Sequence, residues 1–298
     1  MGADMGLSFT SDRPARDSWF SGAGQGEGRS PLTGPRAWDN DGAINLPEDN
    51  MAFRILMHAF RMVFGNFGAA LRISMPMIVV GILAAIFVTP HQMSDLGTPA
   101  EQLQNYVTGP FLISLLAYLV ATLWVAVAWH RYCLREEYPG AMMPAFHGDR
   151  MLGYLGWSIL IMLVAILVSV VAGIVISAVS AITQSHALAA LLWLGWFGTL
   201  LWFIQRISLV LPASAVNEQK TFRQSWEATR PLSGTILAVA LMFALFSVLL
   251  GQVALPFFSF SIVLGGLINA VTQWISTMLG LSILTTIYGV CIEGRSID

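Results

Sequence analysis

Six long stretches of this chain, at about 67 to 90, 109 to 133, 153 to 182, 188 to 211, 232 to 255 and 262 to 292, are apolar or weakly polar, and every Lys and Arg can be placed on one side of them. Each is long enough to cover the roughly 30 Å of a bilayer's hydrocarbon, which takes about 20 residues of helix. Lipid offers the backbone no hydrogen-bonding partner, so such segments must close their own N–H and C=O groups as helices. The predicted fold is therefore all-α: a polytopic bundle of six transmembrane helices with amphipathic interfacial helices. Composition agrees, since only 11% of residues are charged and 56% are hydrophobic, against roughly 25% charged in an average soluble domain.

The turns between stretches set the orientation. Asp95 and Glu101 lie between the first and second, Thr183 to Ala187 join the third and fourth, and Pro256 to Ser261 join the fifth and sixth; none of these turns carries a cation. On the other side stand Arg54 and Arg61, then Arg131, Arg135 and Arg150, then Lys220, Arg223 and Arg230, and finally Arg295, with Arg72 and Arg206 close enough to snorkel to the same interface. The positive-inside rule puts that side, and with it both termini, in the cytoplasm. A bacterial inner membrane is the expected location, and Cys133 and Cys291 then fall in a compartment that keeps thiols reduced, so no structural disulfide is expected.

Residues 1 to 50 are rich in Gly, Ser, Pro and Asp and have too little apolar surface to offset chain entropy, which predicts a disordered cytoplasmic tail ahead of a membrane domain over 51 to 298. No apolar signal-peptide core is visible in it. Its eight acids against four Arg, like the modest charge elsewhere, give no basic face for nucleic acid.

Between tail and first crossing, Arg54, His58 and Arg61 recur at helical spacing while Phe53, Leu56, Met57, Phe60 and Phe64 occupy the rest of the circumference. This predicts an amphipathic helix on the membrane surface, its cations meeting anionic headgroups. The same pattern returns at an offset of 169 residues: Phe53, Arg54, Ala59, Arg61 and Gly65 align with Phe222, Arg223, Ala228, Arg230 and Gly234, and Phe146, Arg150 and Gly153 give a weaker echo. Three out-and-back hairpins, each with a surface helix as its foot, are the physical reading, with Arg54, Arg61, Arg223 and Arg230 as headgroup contacts.

Candidate chemistry is sparse. An Asp, Glu, Lys, Arg or His at mid-membrane would mark an ion path or proton relay, and none is placed there; Arg206 is read as a snorkelling interfacial residue in preference to a buried charge. Ala165, Ser169, Gly173, Ser177 and Ala181 form a small-residue ridge that suits close helix packing better than a substrate groove. Asn269, Gln273, Ser276 and Gly280 share one face of the sixth crossing, flanked by Thr272 and Thr277, and are read as an interhelical hydrogen-bond stripe before a polar pocket. His130, Cys133, His147 and Asp149 match no established zinc spacing. Neither a cofactor nor a metal is expected, and no phosphate loop, nucleophile elbow or zinc-protease helix is present.

Two segments carry a resemblance: Val127 to Pro139 closing the second crossing, and Gln205 to Pro212 followed by Phe222 to Arg230. The second resembles poorly characterised bacterial six-helix inner-membrane proteins, the YciC-like group, and the membrane domain attached to some glycerophosphodiester phosphodiesterases. There an Arg and a Pro end one helix and a Ser-Trp-x-x-Thr-Arg-like surface helix leads to the next. The likeness spans about residues 51 to 292 and implies architecture; the phosphodiesterase domain has no counterpart here, so its activity is not implied. The expected function is a non-enzymatic scaffold, assembly or envelope factor, or accessory subunit, partnered by membrane lipids and by other membrane proteins or itself. The alternative is a transporter or lipid-handling protein for an uncharged or amphiphilic substrate.

Overall fold

A computed structural model describes residues 50–87, 109–140 and 142–297. The tail, the last residues of the first crossing and the turn holding Asp95 and Glu101 lie outside the described residues. Every regular element that is described is helical: α1 (Met51–Gly65), α2 (Phe67–Phe87), α3 (Gly109–Arg135), α4 (Gly148–Thr183), α5 (His186–Ile207), α6 (Val210–Ala215), α7 (Phe222–Ala228), α8 (Ser233–Gln252), α9 (Leu255–Phe258) and α10 (Ile262–Cys291). Six segments among them are long and apolar enough to cross a membrane: α2, α3, α4, α5 with α6, α8 with α9, and α10.

Two crossings are interrupted. Pro212 was expected to mark the end of the fourth; it sits instead in the first turn of α6, and the break precedes it at Ser208–Leu209. The reason is covalent: Pro212 has no N–H for the Ser208 carbonyl, so the Leu211 N–H takes that carbonyl at 2.9 Å in a tighter turn. The fifth crossing breaks after Gln252, and Gly265 at the start of α10 lies so close to α9 that a Cβ there would fall 2.8 Å from the Phe258 backbone nitrogen.

The core sits at one end of the bundle. The last turns of α3, α6 and the second half of α10 are almost wholly buried, and α10 is the most enclosed of the six spans, whereas α5 is the least. One cluster joins Ile55 and Ala59 of α1 to Leu209, Ile236, Ile283 and Ile287; a second joins Val63, Ile73, Val125, Trp129, Met278 and Leu279. Along α4 a wide apolar surface is left uncovered, with Leu167, Ile174 and Ile182 at 66 to 83% exposure.

The segment expected to lie on the membrane surface is therefore built into the bundle. Met51, Ile55, Ala59, Met62 and Val63 form a buried arc of α1, Phe53, Met57 and Phe64 point outward on the opposite arc, and the polar strip runs between. His58, expected on the exposed polar face, abuts the buried arc and is 7% exposed. Of the three expected feet, the weakest echo has no separate helix, because α4 runs unbroken through Gly153. That glycine serves packing: a Cβ would come within 2.8 Å of Ser214 Oγ on α6.

Candidate functional site at the charged end of the bundle

The same end gathers the charges. Arg131 and Arg135 come from the last turn of α3, Glu137 and His147 from the following loop, Asp149 and Arg150 from the first turn of α4, and Asn217, Glu218 and Lys220 from the connection between α6 and α7. Two residues with left-handed backbone make the corners, Glu136 (φ 52°) closing α3 and Asn217 (φ 66°) after α6. Asn tolerates that conformation better than most residues, and its Oδ1 accepts from Arg150 Nη1 of the distant α4.

Three acids act as hubs. Glu137 receives Arg131 through Nε at 2.7 Å and lies 3.3 Å from His147 Nε2. Glu218 receives Arg135 at 2.9 Å on one oxygen and the Tyr288 hydroxyl at 2.7 Å on the other, with Lys220 at 3.9 Å, so it ties α3, α10 and the segment before α7 together. Glu293 pairs with Arg295 at 2.6 Å, and Arg295 in turn donates to the Leu134 carbonyl at 3.0 Å. Burial pushes the Glu293 carboxyl above its ordinary range, with Arg295 and Arg135 opposing that shift and Glu218 reinforcing it. Arg131, Arg135, Glu137, His147, Asp149 and Arg150 line a cavity of about 550 Å³ that opens at this end.

Beneath the ion pairs lies a buried neutral layer. Trp129 donates to Ser282 Oγ at 3.0 Å, and Tyr132 donates to Asn66 Oδ1 at 3.0 Å. His130, fully buried, bonds Thr285 Oγ1 at 2.8 Å through Nδ1 and lies 3.4 Å from the Tyr154 hydroxyl at Nε2. Thr285 spends its only proton on the Leu281 carbonyl, so it accepts from His130, which assigns the proton to Nδ1.

Arg206 overturns the snorkelling expectation. It is 4% exposed, with its guanidinium 3.6 Å from the Trp226 ring centre and 5.0 Å from that of Trp202. It donates to Thr229 Oγ1 at 3.1 Å and to the Trp226 carbonyl at 2.8 Å, while the Ser225 hydroxyl donates back to the Arg206 carbonyl. Two aromatic faces, one carbonyl and one hydroxyl give the cation a compartment that hydropathy does not reveal. Its effect is to dock α7 onto α5.

The sequence-predicted residues are dispersed. Arg54 donates to the Ile297 carbonyl near the C-terminus, Arg61 and Arg230 are exposed, and Arg223, with 87% of its side chain exposed, pairs with Glu227 at 2.8 Å. That bond holds the Arg223 guanidinium above its ordinary pKa. On the α4 ridge, Ala165, Ser169 and Gly173 are half-buried, Gly173 within 3.6 Å of Trp193 on α5 for an added Cβ, while Ser177 and Ala181 are exposed. On α10, Asn269, Ser276 and Thr277 are half-buried, Gln273 is exposed, and Thr277 spends its hydroxyl on the Gln273 carbonyl at 2.8 Å. His130 and His147 do not converge: one belongs to the buried layer, the other to the ion pairs. Among the described residues no three His, Cys, Asp or Glu side chains gather as metal ligands, and both thiols are free.

Sequence reading missed Glu218, Glu137 and Asn217 as organisers. Their only signal was position, each falling in a short polar connection on the cation-rich side. No family model matches the chain, and neither does any curated protein or solved structure. Fold and site together define a multi-pass integral membrane protein whose described charged residues concentrate at one end of a helical bundle.

Proposed function

We propose that this is a non-enzymatic protein of a bacterial inner membrane, with both termini and the charged end in the cytoplasm, acting as a scaffold, assembly factor or accessory subunit beside other membrane proteins. The observation that carries the reading is the outward placement of Gln273. It is exposed on α10, and at 1.5 Å per residue it lies roughly 16 Å along the helix from Ile262, well inside the hydrocarbon. An amide facing lipid has no hydrogen-bond partner, and a neighbouring protein supplies one. A transporter would turn the same amide toward an internal cavity. The uncovered apolar face of α4 offers further lateral contact. The resemblance to YciC-like proteins and the outward Phe53 and Phe64 of α1 favour the same reading.

Affinity purification from native membranes, with mass spectrometry of proteins and lipids, tests it. A stoichiometric membrane protein should co-purify and be lost in Gln273→Leu. An isolated monomer in nanodiscs, carrying neither protein nor specific lipid, would overturn the proposal. Reporter fusions near Gln102 and after Arg295 check the orientation; cytosolic signal at Gln102 would refute it.

A further inference from the structure

We infer that the cavity between Arg131, Arg135 and Arg150 binds a phosphate group, supplied by a lipid headgroup at the membrane surface or by a small phosphorylated solute. The inference rests on the chain spanning the bilayer, and not on the identity of any partner protein.

Three guanidiniums converge on one cavity of about 550 Å³, and this is the ligand chemistry that guanidinium forks fit best, because their paired N–H groups match the spacing of phosphate oxygens. Their internal bonds leave capacity. Arg135 engages Glu218 through Nη2 alone, and Arg150 engages Asn217 and Asp149 through Nη1 and Nε, out of five N–H donors on each. Arg131 is the anchored member, held by Glu137 and by the Ala215 carbonyl at 3.1 Å, so its position is fixed whether or not an anion is bound. The lining itself holds two acids, Glu137 and the exposed Asp149, against three arginines, and Glu218, which pairs with Arg135, lies outside it.

Two further observations point the same way. The cavity includes the N-terminus of the 36-residue helix α4, whose N-cap residue His147 contributes no side-chain cap, so amides of the first turn are available to an anion. Depth is also right for a headgroup: the cavity sits where α3 ends at Arg135 and α4 begins at Gly148, and directly below it Leu152, Ile159 and Leu163 of α4 stand 71, 43 and 54% exposed. A lipid whose phosphate sat among the arginines would lay an acyl chain along that face.

The experiment uses the full chain, purified in detergent and reconstituted into phosphatidylcholine nanodiscs with or without phosphatidylglycerol, alongside Arg135→Gln, Arg150→Gln, their double variant, and Arg72→Gln as an exposed control on α2, outside the cavity lining. Native mass spectrometry and competition binding read lipid retention; thermal stability in detergent with added inorganic phosphate or glycerol phosphate reads the solute arm. Each cavity variant should weaken phosphatidylglycerol retention about tenfold, the value of one charge-assisted contact, with Arg72→Gln unchanged. Stabilisation by the soluble phosphates that is lost in the same variants, without a lipid effect, assigns the site to a solute. If the cavity variants keep full responses in both arms, or if Arg72→Gln loses as much as they do, the site does not exist. Should the double variant fail to fold, Arg150→Lys, which keeps the charge and removes the fork, must still lose affinity.

Discussion

Removing the Arg206 guanidinium should release α7 from the bundle. In Arg206→Met the side chain keeps its length and loses two hydrogen bonds to Thr229 and Trp226, together with the stack on the Trp226 ring at 3.6 Å. A hydrogen bond from a charged donor contributes about 1.5 to 3 kcal/mol, and a desolvated cation–π contact about 2 kcal/mol. Set against these is the relief of desolvating a buried cation, which removes a substantial part of the gain, so a net loss of about 3 kcal/mol in the docking of α7 is expected. At 1.4 kcal/mol per tenfold, that is about a hundredfold faster local opening. Hydrogen–deuterium exchange of amides 222–228 in nanodiscs reads this directly, with α3 and α10 as internal references. Arg206→Lys, keeping charge without the planar fork, should fall between. Exchange at α7 unchanged in Arg206→Met would refute the reasoning and restore an arginine that merely reaches for solvent, whose removal costs only a few tenths of a kcal/mol.

Other perturbations test the packing and the ion pairs. Gly265→Ala places a Cβ 2.5 Å from the Phe258 ring and 2.8 Å from its backbone nitrogen, whereas Gly266→Ala meets nothing within 4 Å; the first should cost about 1 to 3 kcal/mol by denaturant titration and the second almost nothing. Glu218→Gln weakens its bonds to Arg135 and Tyr288 together and should cost about 1 to 2 kcal/mol, with Arg135→Gln adding less in that background than alone if the two act as one unit. Because the Glu293 carboxyl lies above its ordinary range, the folded state holds that proton more tightly than the unfolded chain, so stability falls as pH rises from the ordinary carboxylate pKa through the raised one. Melting temperatures across that window should decline in the wild type and flatten in Glu293→Gln; a rise with pH attributable to this residue would contradict the placement.

The class of the protein is legible in its sequence. Hydrocarbon accepts only chains that satisfy their own backbone, so six apolar stretches dictate six helices, and their bounds in the structure differ from the sequence reading mostly by a few residues. Where the reading failed, the missing information was contact across the fold. Pro212 looked like a terminus because a proline forbids one hydrogen bond, but only the chain's path shows that the neighbouring turn absorbs the loss. Gly153 stood in the repeat as the counterpart of Gly65 and Gly234, and only the approach of Ser214 shows that it serves packing.

The charges divide in the same way. That the described cations gather at one end follows from sequence, since a charge in lipid is costly wherever it falls along the chain. Which of them meet was decided by tertiary structure alone: Arg131, Arg135 and Arg150 surround one cavity because α3 ends where α4 begins and the Asn217 corner folds beside both, while Arg54 and Arg223, more conspicuous by their repeat, point to different partners. Hydrophobicity is a property of each residue and can be summed along a chain. A site is a relation between residues distant in sequence, and only packing brings those residues together.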